Sequence, residues 1–201
     1  MLIVGTGGLA RDVITSWEID EANRNHTLFL FDDVNVHKDL LYEKYVIYHT
    51  FEQVEKHFRT IDNRFFVCIG NPLKRKRITE KFESLGGELS PFVSCKVTIV
   101  SPFTPLGKGV VIEPGVVVSK DVILEKGVFV NAGSILGHDA ILREYVSLGP
   151  GVRILGGAEI GAFSYIGCNA VIMPGVKIGK KVRIGVGKII DKDVPDNAKI
   201  M

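Results

Sequence analysis

Sulfur, long apolar runs and excess charge are all scarce in this chain of 201 residues. Its three cysteines, Cys68, Cys95 and Cys168, are odd in number and share no paired spacing. That excludes a disulfide framework and a cysteine zinc site, and fits a reducing compartment. No stretch of about 18 apolar residues occurs, so no membrane insertion is expected. The opening MLIVGTGG is too short and too glycine-rich for a signal peptide. A soluble cytoplasmic protein follows from these absences. Lys and Arg total 25 against 23 Asp and Glu, a net charge of +2, which argues against a nucleic-acid binder held by phosphates. Histidine is sparse too, and beyond His57 only His138 remains. A metal site built from three histidine ligands is therefore not expected in the second half of the chain.

What the chain does have is metre. Stepping by six from Val100 through Leu106 and Ile112 to Ile178 and Ile184, every residue is Val, Leu or Ile. Four places after each stands a small or β-branched residue, from Thr104 and Val110 to Val176 and Val182, with Lys188 the exception. A fixed short period marks a solenoid. A period of six matches neither the 3.6 of a helix nor the alternation of a half-buried strand. It fits a chain that makes a short strand, turns and repeats, three lines completing one triangular coil. Glycine marks the turns, directly after the aliphatic (Gly107, Gly137, Gly161) or three places after it (Gly115, Gly133, Gly157). Where the latter slot is Asp121, Asp139 or Asn169, the side chain tolerates positive φ. Residues 91–201 are expected to form an all-β, left-handed parallel β-helix of about five coils, with successive coils roughly 4.8 Å apart.

Residues 1–90 read as a small Rossmann-like α/β domain. Strands are expected at Met1–Gly5, Thr27–Phe31 and Arg64–Ile69, and helices at Leu9–Asn23, Phe51–Phe58 and Pro72–Leu85. Their alternation predicts a parallel sheet. The turn GTGGLAR, Gly5 to Arg11, opens the first helix, the usual place to hold a phosphate on backbone N–H groups. Asp32 and Asp33 end the second strand, the usual place to meet a ribose or base edge. Asn71, in IGNP, ends the third strand near the same edge. Gly5, Gly7, Gly8, Arg11, Asp32, Asp33 and Asn71 are thus candidates for binding a nucleotide joined to a sugar. NAD is the weaker fit, because the three-glycine fingerprint is incomplete. The bland alternative is tight-turn glycine with no ligand.

His138 lies two places after the inward Leu136, so its side chain is expected to point outward or toward a neighbouring subunit. An outward imidazole suits general-base work near neutral pH, and Asp139 could hold its tautomer. A surface histidine with no role has the same local pattern.

Four strings together carry a family resemblance: GTGGLAR, FDD at Phe31–Asp33, IGNP, and NAGSILGHD at Asn131–Asp139. Over nearly its whole length the chain resembles the bacterial hexapeptide-repeat sugar acetyltransferases, the sialic acid O-acetyltransferase family together with UDP-4-amino-sugar N-acetyltransferases. The resemblance implies His138 as the base, Asp139 as its acidic partner and Asn131 as an active-site asparagine. It implies a homotrimer, with acetyl-CoA lying along the C-terminal coils and a nucleotide-sugar bound through the first domain. Gly156 and Cys168 match positions lining the pantetheine arm. Ser147 stands where some members carry a second histidine touching the thioester, and the chain stops at Asn197–Met201, before a segment that relatives usually carry. Lys177, Lys180, Lys181, Arg183 and Lys188 could meet the coenzyme phosphates or simply be solvated corners. Direct acetyl transfer is expected, with a backbone N–H or Ser147 stabilising the oxyanion. The rivals are O-acetylation of a sialic-acid-type sugar and a non-catalytic trimeric scaffold that binds sugar nucleotides.

Overall fold

The computed structural model describes residues 1–23, 26–36, 38–99 and 104–201. They form two compact units, one of Met1–Gly70 and Lys74–Ser90, the other of Asn71–Leu73 and Pro91–Met201.

The first unit is a six-stranded sheet with helices on both faces. Its elements run β1 (Leu2–Val4), α1 (Gly8–Ile19), β2 (Phe29–Phe31), β3 (Leu40–Leu41), β4 (Tyr45–Tyr48), α2 (Phe51–Thr60), β5 (Arg64–Val67), α3 (Pro72–Ser84) and β6 (Glu88–Leu89). The strand order is β3-β4-β2-β1-β5-β6. The sheet is mixed rather than wholly parallel, because β3 and β4 pair antiparallel at one edge. Their turn is built by Tyr42 and Glu43, both at positive φ. Neither residue type signals such a turn, so the hairpin left no mark in the sequence. Alternation along the strands sorts the core. Leu2, Val4, Phe65 and Val67 pack with Val54, Phe58 and Phe82 of α2 and α3, while Phe66 meets Trp17 of α1. Helix α1 ends earlier than its apolar spacing suggests, because the Asp20 carboxylate accepts from the Ala22 N–H and turns the chain. Thr50 and Gln53 form a capping box at the start of α2.

The second unit is the β-helix. Its strands stack in three parallel sheets, and the pairing advances by one coil of 18 residues, as in Val117↔Ile135↔Arg153↔Val171↔Ile189. Among the described residues there is a seven-strand face running from Phe92–Val93 to Lys199–Ile200. A six-strand face runs from Thr98–Ile99 to Ile189–Ile190, and a four-strand face from Ile123–Leu124 to Lys177–Ile178. The metre's aliphatics from Ile112 to Ile184 are all buried in one core, together with the small residues four places on. Leu106 packs partly against it, and Val100 lies outside the described residues. Each aliphatic contributes about 1.5–3 kcal/mol by leaving water, and the two buried serines among the small residues are paired: Ser134 donates to the Gly149 carbonyl, and Ser164 donates to the Gly179 carbonyl and accepts from the Val182 N–H.

The two glycine slots have different causes. Three places after each aliphatic, every sixth residue from Gly109 to Gly187 has φ between 55° and 72°, glycine or not. Directly after the aliphatic, a β-carbon on Gly107 or Gly167 would fall 2.5 or 2.7 Å from the backbone of the next coil. Tyr145 and Phe163 hold the left-handed slot despite their bulk, and their rings stack on successive coils 5.7 Å apart.

Candidate active site

His138 follows the six-strand face at a corner of the prism, in a column with Lys120 one coil before it and Gly156 and Pro174 after it. The corner is pinned by its backbone. Asp139 N–H donates to the Lys120 carbonyl at 3.1 Å, and the His138 carbonyl accepts from Gly157 N–H at 2.8 Å. The left-handed conformation of Asp139, φ 60°, turns its carboxylate back onto the preceding ring. Its Oδ2 lies 2.7 Å from His138 Nδ1. An ionised carboxylate can only accept, so Nδ1 is the donor of this pair, and in the neutral imidazole the lone pair is then on Nε2. In the isolated chain both side chains are exposed, at 71% and 65%.

The imidazole lies over Gly156. A β-carbon there would be 2.6 Å from Nε2 and 2.7 Å from Cε1. Gly156 is not among the residues with positive φ, so it is the ring rather than the backbone that demands glycine. Its N–H is also unspent among the described residues. Proline fills the same slot at Pro114, Pro150 and Pro174, which shows that the coil ladder does not need that donor. A lone pair and a backbone donor thus adjoin at one corner, the equipment for removing a proton while stabilising a developing oxyanion.

The other expected members of this site lie elsewhere on the prism. Asn131 follows the seven-strand face, and its Oδ1 accepts from the Ala132 N–H at 2.7 Å. Ser147 is buried in that face, and half-buried Cys168 sits at the corner after it, against Gly149. Lys188 is half-buried in the last coil.

In the first unit a cavity of about 840 Å³ opens at the C-terminal ends of β1, β2 and β5. Gly5, Gly7, Asp32 and Asp33 line it. Gly5 is at φ 117°, and a β-carbon there would press on the Cys68 carbonyl at 3.1 Å; Gly8 opens α1 in open space. Asp32 is fully engaged. Its Oδ1 accepts from the N–H groups of Val34 and Asn35, and its Oδ2 accepts from Asn35 Nδ2 and the Thr6 hydroxyl. Burial opposes its ionisation, but these hydrogen bonds outweigh burial and hold the carboxyl below its usual range. Asp32 therefore shapes the loop, while exposed Asp33 is the carboxylate with room for a ligand. Arg11 turns back to donate to the Thr6 carbonyl and does not line the cavity. Asn71 groups with the second unit. Sequence reasoning missed Lys74, Arg77 and Lys81, which line the same cavity. Their spacing of three and four along α3 was the available signal.

The PglD N-terminal domain family matches residues 1–82, and the bacterial transferase hexapeptide family, six repeats, matches residues 157–192. The acetyltransferase domain of PglB from Neisseria gonorrhoeae FA1090 superposes with a TM-score of 0.87 at 26% identity, over 98% of this chain and 94% of that one. The chain is a PglD-like hexapeptide-repeat acetyltransferase. PerB from Caulobacter crescentus, solved with CoA and GDP-perosamine, superposes on this acetyltransferase with a TM-score of 0.88 at 26% identity, over 98% and 91% of the two chains. WeeI from Acinetobacter baumannii AYE shares its fold, with a TM-score of 0.85 at 21% identity over 98% and 94%. No curated protein sequence matches.

Among the described residues of the acetyltransferase, no cluster of His, Cys, Asp or Glu could hold a metal ion, and no helix is long and apolar enough to cross a membrane. Its last coils do not carry one basic patch. Lys177 and Lys180 line a groove of about 730 Å³ on the four-strand face, where Arg143 bridges Glu125 and Glu159. Arg183 instead stands over Tyr165 on the seven-strand face.

Proposed function

We propose that this acetyltransferase moves the acetyl group of acetyl-CoA directly to the amine of a nucleotide-linked amino sugar, with His138 as general base. The observation that supports this most is the corner where the Nε2 lone pair, oriented by Asp139, adjoins the unspent N–H of Gly156. The sugar nitrogen attacks the thioester carbonyl while Nε2 takes its proton. Gly156 N–H donates to the carbonyl oxygen as it gains charge, then the tetrahedral intermediate collapses, the C–S bond breaks, and the proton held on Nε2 passes to the sulfur so that CoA leaves as the thiol. No cysteine adjoins the histidine to carry the acetyl group in between. PglB has been solved with acetyl coenzyme A, and PerB and two of its histidine variants with CoA and GDP-perosamine.

A homotrimer belongs to the same proposal. The six-strand face exposes Ile135, Met173 and Ile189, with half-buried Val117, Leu155 and Val171 between them and Arg153 as the charged member of the outward row, a mostly apolar sheet suited to a second copy. His138 lies at the edge of that face, whereas Asn131, Ser147 and Cys168 belong to another edge. A site using both sets draws them from two copies.

The deciding assay follows thiol release from acetyl-CoA with UDP- and GDP-amino sugars and with sialic acid. One active amino-sugar nucleotide supports the reading. Activity on sialic acid alone makes the enzyme an O-acetyltransferase, and no release with any acceptor leaves a scaffold. In the active reaction His138→Ala is expected to lower turnover by about 10²–10⁴-fold while the acceptor still binds. Near wild-type turnover would remove His138 from the chemistry.

A further inference from the structure

His49 follows β4 with its side chain only 15% exposed, and each of its ring nitrogens faces a backbone carbonyl oxygen. Nδ1 lies 2.7 Å from the Asp32 carbonyl and Nε2 lies 3.1 Å from the Lys38 carbonyl. A carbonyl oxygen only accepts, and a neutral imidazole has a single N–H to give. The ring therefore makes both bonds only as the imidazolium. Asp39 Oδ1 stands 3.7 Å from Nε2, but that carboxylate is 96% exposed, so water screens its pull. Of the other charged groups near the ring in the chain, the Asp32 carboxylate is taken up by Val34, Asn35 and Thr6. Asp33 is exposed in the cavity of the first unit, and Lys38 offers its carbonyl. Helix α2 meets His49 through neutral Gln53, which accepts from the His49 backbone N–H at 2.8 Å, while Glu52 is held by Thr50 and by its own N–H.

The two carbonyls bracket the segment that lines the cavity. Asp32 opens it, its N–H donating to the Tyr48 carbonyl at 3.0 Å. Asp33, Val34 and Asn35 line the space. Lys38 ends the segment, next to the Asp39 carbonyl that accepts from Ile47 N–H at 2.9 Å. When the ring gives up one proton, the shorter bond to Asp32 is the one kept. Nε2 then turns a lone pair toward the lone pairs of the Lys38 carbonyl, and the tie at that end is lost. We infer that His49 is a positioning residue for the acceptor that works as the imidazolium. Its second proton fastens the segment carrying Asp33 and Asn35, so protonation of His49 and occupation of the cavity favour each other. This rests on the nucleotide-sugar reading above and adds to it a residue and a proton. Linkage makes the effect reciprocal. Affinity falls as the pH rises and the second proton leaves, and binding takes up a proton wherever the ring is partly protonated.

The test begins without a ligand. Nitrogen NMR of the His49 ring in the full chain, followed from about pH 5.5 to 8, should show both nitrogens protonated at the acid end and one at the alkaline end. The amides of Asp33 and Asn35 should shift in step. Calorimetric titration with UDP-glucose and GDP-mannose follows, because their diphosphate diester does not titrate in this range. The better ligand is expected to bind about 5-fold or more weakly at the alkaline end. Comparison of buffers with different ionisation enthalpies should show proton uptake on binding. His49→Gln should bind at the weak limit at every pH. His49→Arg, cationic throughout and rich in donors, should bind at the tight limit at every pH. A single ring N–H at the acid end overturns the proposal, as do loop amides that ignore the ring. So does an affinity that ignores pH, or a pH dependence that survives in His49→Gln. If neither nucleotide binds at any pH, the coupling falls, and the ring signals separate the causes. Two ring protons with shifting loop amides then count against the nucleotide-sugar reading, and one ring proton counts against the fastening itself.

Discussion

The imidazole of His138 occupies the space that a side chain on Gly156 would fill, with Nε2 2.6 Å from the position of the missing β-carbon. The two residues stand one coil apart in the same corner column, so the repeat itself brings them together. Gly156→Ala should therefore push the ring off its mark and leave the coil standing. We expect turnover to fall about 10²-fold, as for a misplaced catalytic group, with KM for the acceptor little changed. Steady-state kinetics beside a thermal melt checks it. An unfolded variant, or full activity, would contradict the steric account.

Asp139 has two jobs that one substitution can separate. Asparagine tolerates the left-handed conformation at φ 60° but is not an obligate acceptor for Nδ1–H. Asp139→Asn is expected to melt like the wild type and to lose about 10-fold in turnover, through a mixed tautomer. Asp139→Ala should lose both activity and roughly 1 kcal/mol of stability, because alanine pays the left-handed cost.

The two glycine slots predict opposite sensitivities. Gly167→Ala places a methyl 2.7 Å from the Gly185 backbone, which cannot yield. A loss of about 1–3 kcal/mol is expected. At Gly187, φ 69° with nothing within 4 Å, asparagine should be tolerated within about 0.5 kcal/mol. Urea unfolding midpoints of the two variants, measured together, would expose any error in the slot assignment.

His57 should make the first unit acid-sensitive. It is 1% exposed, packed against Phe29 at 4.6 Å and beside Tyr48, and Nε2 has no hydrogen-bond partner. Burial, then the α-amino group of Met1, pushes its pKa below the usual value, with Asp62 pulling the other way. The unfolded chain takes up the proton near pH 6.5 while the folded unit resists it, so stability present above about pH 6.5 is lost as the pH falls toward the lowered folded value. His57→Phe should flatten this slope. Thermal midpoints from about pH 7.5 to pH 5 would show it, and parallel slopes for the two proteins would argue that another group controls acid lability.

Much of the fold was legible because a six-residue repeat makes facing a matter of counting. Ile112 to Ile184 had to turn inward together, and His138, two places on from Leu136, had to turn out. The hairpin Leu40–Tyr48 was not legible, since Tyr42 and Glu43 take a turn conformation that their side chains disfavour. Nor was the engagement of Asp32, whose four hydrogen bonds come mostly from a loop that reads as ordinary polar sequence.

By itself the sequence determined the β-helix, the outward histidine and the glycine turn that opens α1, because each follows from spacing along the chain. Only the tertiary structure decided what stands beside what. It left the Gly156 N–H unspent beneath the His138 ring, and brought Lys74, Arg77 and Lys81 into the lining of the cavity that Asp33 also lines. Those neighbours belong to different strands, coils and helices, and distance in space between them is set by packing that no local pattern records.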